Sequence, residues 1–255
     1  LRPRGRDEPR TGEKLQELFK TYSAKDVAEM KRERHINGTR FVWSKWQAIS
    51  VALNTGNDDN MARLLSEDVH PDQRITTDDL NAILDTLDKR DWDFVQASWD
   101  LINSYWPEIE AVTTRRTGVR PGKVEARQVV TKHGTYRGGY YPIKYDPGYG
   151  HAAAMDARTE MDKFMSAGRS GKAQTKSGHT VERKKTGNGR TLMLDMDVMF
   201  RHLRDVVRDI ALSEAVDNAY RVLNHGRVSQ AFIDAGRATD HQMLNLWLKD
   251  VAAGP

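Results

Sequence analysis

Apolar residues recur along most of this chain at steps of three and four, the spacing that gathers side chains on one face of an α-helix. Over residues 13–34 the positions Leu15, Leu18, Phe19, Val27 and Met30 predict one or two amphipathic helices, and Ser23 with Asp26 is placed to cap the second. Over residues 41–54 the stripe Val42, Trp46, Ile49, Leu53 is again helical in period, and Gly56 stands where a left-handed C-cap would. The stretch ALNTGNDDN then reads as a helix end, a turn and a new start. Thr76 and Asp79 form a capping pair ahead of Leu80, Ile83, Leu84 and Leu87, with Lys89 and Arg90 expected to close that helix at the negative end of its dipole. Trp92, Val95, Trp99, Ile102 and Trp106 share one face of a long helix and predict a tryptophan-rich core. Pro107 cannot donate an intrahelical hydrogen bond, so a kink or break is expected beside it.

The period changes after Gly118. VEARQVVT and TYRGGYYPIKYD, joined by Lys132-His133-Gly134, predict a β-hairpin with a bulge at Gly138-Gly139 and an edge strand marked by Pro142. A second hairpin is expected over residues 179–194, because Asn188-Gly189 is a tight-turn pair. Between the two, MDARTEMDKFM suggests a short helix and SAGRSGKAQTKSG a connector. From Asp195 the helical period returns through Met199, Leu203, Val206, Ile210, Val216, Tyr220 and Leu223, and a last pair of helices is expected around residues 228–233 and 244–251. The fold class is therefore mostly α, an irregular multi-helix bundle with one or two small β-hairpins. Three regions are expected: an N-terminal helical part over 1–117, a hairpin-containing linker over 118–195, and a C-terminal helical part over 196–255. The first hairpin is expected to act as the joint between the two helical halves.

Composition narrows the chemistry. The chain has no cysteine, which excludes disulfides, thiolate metal sites and thiol nucleophiles. No apolar run approaches the ~20 residues that span a bilayer. Starting at Leu1 rather than Met and closing on VAAGP after a helical pattern, the chain reads as an excerpt of a longer polypeptide. Its net charge is only +4, but the charge is uneven. Within residues 166–191 stand Arg169, Lys172, Lys176, Arg183, Lys184, Lys185 and Arg190, seven cations against Glu182 alone, a local +6. These seven are the candidate nucleic-acid contacts, since clustered Lys and Arg neutralise phosphates and release counterions.

Signatures of catalysis are missing. There is no H-E-x-x-H, G-x-S-x-G or G-x-G-x-x-G, and AGRSGKAQ fails as a phosphate loop because Ser166 and Ala173 stand where Gly and Ser or Thr are required. Asp195 and Asp197 precede an apolar-periodic run, which makes them capping residues rather than metal ligands. Asp240-His241 opens the last helix, and His202 falls on a face expected to be solvated. Tyr136, Tyr140, Tyr141 and Tyr145, interleaved with Arg137 and Lys144, are read first as packing and second as a base-stacking platform.

At GTYRGGYYPIKYDP, ALNTGNDDNMARLL and RRTGVRPGKVE the chain resembles a helical module of giant phage-encoded polyvalent proteins and phage internal virion proteins. LMLDMDVMFRHLRDVVRDIALSEAV and LNLWLKDVAAG resemble the continuation of that module, so the likeness covers nearly the whole chain. The resemblance implies a segment of a very large ejection protein, held in the virion interior and delivered into the host cell with the genome. Its partners would be other segments of the same chain, other virion proteins and phage DNA. It implies no cofactor, no metal and no catalytic residue here, although such parents often carry an enzyme domain elsewhere. The expected function is a non-catalytic structural and interaction module; the alternative is a nucleic-acid-binding module using residues 169–190.

Overall fold

The computed structural model describes residues 11–69, 73–146 and 191–253. Helices take up 62% of them, which makes the fold mostly α, accompanied by two small antiparallel two-stranded sheets. In chain order the elements are α1 (Thr11–Phe19), α2 (Ala24–Met30), β1 (Glu33–His35), β2 (Val42–Ser44), α3 (Lys45–Leu53), α4 (Asp58–Ser66), α5 (Thr77–Asp85), α6 (Lys89–Asn103), α7 (Trp106–Thr117), β3 (Val129–Thr131), β4 (Gly134–Tyr136), α8 (Asp197–Leu223), α9 (Gly226–Asp234) and α10 (Ala238–Ala253). Of the described residues, 11–69, 73–106, 123–146 and 191–203 form one compact unit, and 107–122 with 204–253 form the other. The first hairpin, β3–β4, falls inside the first unit.

Short local signals set the helix starts. Ser23 with Asp26, Ser44 with Gln47, Thr76 with Asp79 and Asp88 with Asp91 each build a reciprocal capping box, satisfying backbone N–H groups that a helix leaves open. The box at Asp88 corrects one expectation. Lys89 and Arg90 do not close α5, which ends at Asp85; they open α6, because Asp88 is its N-cap. A second correction is β1–β2, read from sequence as helix. Asn37-Gly38, with Gly38 at φ +82°, turns the chain between these strands, and this turn pair is the overlooked signal.

In the first unit α3 is the central element. Residues Ala48, Ile49, Ser50, Val51, Ala52 and Leu53 are all buried, the mark of a helix covered all round. It packs on α5 and α6, and α1 packs on α6. The α6 stripe lies in the core, with Trp92, Val95, Trp99 and Ile102 at most 5% exposed. The helix breaks at Ser104-Tyr105, and Pro107 sits in the first turn of α7, where its missing N–H costs nothing. The break rotates the register, so Tyr105 takes the buried place expected of Trp106.

In the second unit α8 and α10 share a small core of Val216, Leu248 and Ala252, joined by Leu212, Tyr220, Leu223 and Val251. Arg116 of α7 reaches Asp217 at 2.7 Å and Asp209 at 3.5 Å, and Arg115 pairs with Glu214. Gly118, at φ +73°, ends α7 with its N–H donating to Thr114 O at 2.8 Å. α9 and α10 form a helical hairpin. Among the described residues no helix is long and apolar enough to cross a membrane.

Candidate functional site

Two glycine-containing stretches, ALNTGNDDN and GTYRGGYYPIKYDP, meet in the first unit. The turn between α3 and α4 presents the Gly56 carbonyl, which accepts from Arg127 N at 2.7 Å and from Gly139 N at 2.9 Å. Asn57 Nδ2 donates to Gly139 O at 3.2 Å, and Asn60 Nδ2 donates to Tyr141 O at 2.8 Å and Asn54 Oδ1 at 3.1 Å. Trp99 closes the arrangement from beneath, its Nε1 donating to Leu53 O at 2.9 Å. The glycines are demanded by contact distance. A Cβ on Gly56 or on Gly139 would stand 2.5 Å from the Trp99 side chain, and one on Gly138 would stand 1.9 Å from Arg127 O.

Three departures from expectation lie at this clasp. Gly56 does not adopt a left-handed cap and is small because an indole lies against it. The β3–β4 ladder stops after three residue pairs, Val129↔Tyr136, Val130↔Thr135 and Thr131↔Gly134, and beyond it Arg127 and Gly139 both donate their N–H groups to the Gly56 carbonyl. Gly138-Gly139 is accordingly no ladder bulge; Gly138, at φ +78°, turns the chain out of the sheet, and Pro142 lies in irregular backbone rather than on an edge strand.

The tyrosines of this stretch pack inward. Tyr136 stacks on Trp92 with centroids 5.4 Å apart, and its hydroxyl donates to Asp93 at 3.2 Å; burial and that carboxylate both push the phenol up from its ordinary value. Tyr141 is buried, which raises its phenol strongly, and it donates to Asp195 O at 3.3 Å. Tyr145 OH accepts from Arg63 at 2.7 Å, and Arg63 lies 3.4 Å from the buried Glu67. Tyr140 lies against His202, which is 8% exposed and so corrects the expectation of a solvated face.

Other ionisable side chains, buried or half-buried, brace helix ends. Asp91 accepts from Tyr22 OH at 2.8 Å, from the Lys45 ammonium at 2.6 Å and from Asp88 N at 2.9 Å, tying the starts of α2, α3 and α6 together. Burial, then Asp91, raise the Tyr22 phenol. Asp195 accepts from Asp197 N at 2.8 Å, the capping role expected of it, and from Trp46 Nε1 at 3.1 Å. His241, near the start of α10, lies 2.9 Å through Nε2 from Leu223 O. Among the described residues no group of three His, Asp or Glu is placed to hold a metal ion.

The candidate nucleic-acid contacts Arg169, Lys172, Lys176, Arg183, Lys184, Lys185 and Arg190 lie outside the described residues, as do the expected short helix, the connector and most of the second hairpin. At the edge of that region Asp146 N donates to Thr191 O and Met193 N to Lys144 O, each at 2.9 Å.

A feature that sequence reading missed lies in the second unit. Along α10, Met243, Leu244, Leu246 and Trp247 are 63%, 43%, 44% and 59% exposed, and Ile233 of α9 and Val222 at the end of α8 are also exposed. Their periodicity predicts helices correctly, but it does not tell which apolar positions find cover. Comparison of the chain with protein-family models, with curated proteins and with solved structures finds no match.

Proposed function

We propose that this chain is a non-catalytic structural and interaction module of a large phage ejection protein, carried inside the virion and delivered into the host with the genome. The observation that supports this reading best is the clasp. The residues that give ALNTGNDDN and GGYYPIKY their distinctive composition, Asn54, Gly56, Asn57, Asn60, Gly139, Tyr141 and Tyr145, are engaged with one another, with Trp99 or with Arg63. Their chemistry holds backbone segments together and leaves none of them poised as nucleophile, acid or base. A mostly helical chain without cysteine also suits a protein that refolds after delivery, since local contacts form quickly. Antibodies raised against this chain should detect a large parent polypeptide in purified, DNA-filled particles. Detection only in infected-cell lysate, never in particles, would contradict the proposal.

The second reading is nucleic-acid binding through residues 169–190, favoured by the local +6 charge. Replacing Arg183, Lys184 and Lys185 together with Ala should then weaken DNA binding and flatten its salt dependence, as read by fluorescence anisotropy. A parent chain whose DNA binding is absent or insensitive to salt removes this reading.

A further inference from the structure

Among the described residues, the α9–α10 hairpin carries large apolar side chains that stay exposed. α9 has nine residues and no buried one, although an isolated helix shorter than ~12 residues is marginal in water. In α10, Leu248 and Ala252 face the small core of the second unit. Met243, Leu244 and Trp247 form a stripe within an arc of about 100° on the neighbouring side of the helix. With Leu246, Ile233 and Val222 these side chains make six large apolar groups that are 43–64% exposed. Met243, Leu244 and Trp247 thus give α10 an exposed apolar stripe of the kind that marks interaction surfaces.

We propose that this face is a self-association surface, and that its occupant is the same face of a second copy of this chain. Two observations favour a copy over other partners. The hairpin is electrically balanced, with Arg227, Arg237 and Lys249 against Asp234, Asp240 and Asp250. Two copies therefore meet without net repulsion, whereas a nucleic acid or an anionic bilayer finds no net positive charge to bind. The area also fits. A patch of about 600 Å² per copy, the upper end of what a monomer ordinarily exposes, gives about 1,200 Å² shared by two, the lower end of a stable specific interface. A two-fold contact needs only one self-complementary patch, which is what the hairpin offers.

Self-association does not depend on whether the parent chain travels in a virion, so it is tested on the isolated 255-residue chain by sedimentation equilibrium over the micromolar range. The parent should sediment at twice the chain mass. Replacing Leu244 and Trp247 together with Glu should give a monomer with unchanged helical circular dichroism, and replacing both with Lys should do the same. Mixing the Glu and Lys variants should restore a dimer through opposite charges, which unfolded variants would not do. A parent that stays monomeric, a dimer that survives both substitutions, or a mixture that fails to reassociate would each overturn the proposal.

Discussion

At Gly138 two independent constraints fall on one residue: a φ of +78° and a carbonyl oxygen 1.9 Å from where a Cβ would be. Either alone disfavours a side chain, and neither can relax without moving Arg127 off Gly56. Gly138→Ala should therefore lower stability by about 3–5 kcal/mol, combining overpacking with a left-handed backbone. Gly12→Ala, where nothing lies within 4 Å, should be neutral or slightly stabilising. Urea unfolding followed by tryptophan fluorescence reads both. Trp99, fully buried and bonded to Leu53 O, should cost about 3–5 kcal/mol as Trp99→Ala; a variant that unfolds like the parent would remove it from the core. Charge at the caps gives a pH signature. Asp26 is held below its ordinary value by the Ser23 backbone N–H and hydroxyl. For Asp88 burial pushes upward, but the Asp91 N–H and the Lys45 ammonium outweigh it and leave the carboxyl lowered. A depressed folded value means the contribution is complete above the unfolded value of about 3.9 and is lost as pH falls through the folded one. Asp26→Asn and Asp88→Asn should thus melt below the parent at pH 7 and converge with it near pH 2. A gap that stays constant across that range would show that these carboxylates carry no such linkage.

At the scale of elements, what the sequence made legible was whatever a short window encodes. Helix periodicity, the Ser23 and Thr76 boxes and the break beside Pro107 depend on residues three or four apart, and each was readable. What depends on distant chain was not. Gly56 stood out in the sequence for a capping role, but its reason is an indole 43 positions away, and the hairpin was read too long: the acceptor that takes the Arg127 and Gly139 N–H groups belongs to the α3–α4 turn. The apolar face of α9–α10 shows the same limit, since periodicity orders a stripe but not its cover. Distant pairing has a further consequence at Asp146 and Thr191. Their hydrogen bond, with Met193 N on Lys144 O, brings the two ends of residues 147–190 side by side. Joining Asp146 to Thr191 through a short glycine-containing turn should leave the cooperative tryptophan-fluorescence transition of the first unit in place; its loss would mean that this unit needs the excised residues to fold.

For the whole molecule, several polar side chains join distant segments: Asp91 gathers three helix starts, Asn57 and Asn60 hold a backbone crossing, and Arg116 bridges α7 to α8. Side chains arranged in this way hold segments of the chain together, and large apolar side chains of α9–α10 stay exposed. Both features are ones that the proposed structural and interaction module would need. The proposed virion setting is the central claim, and location tests it most directly. Under the proposal, purified particles of the encoding phage would be probed with antibodies against the chain, before and after triggered DNA release and with external protease present. The expected result is a large parent polypeptide that is protease-protected in full particles and lost from emptied ones; its absence from full particles, or its retention unchanged after ejection, would contradict the proposal.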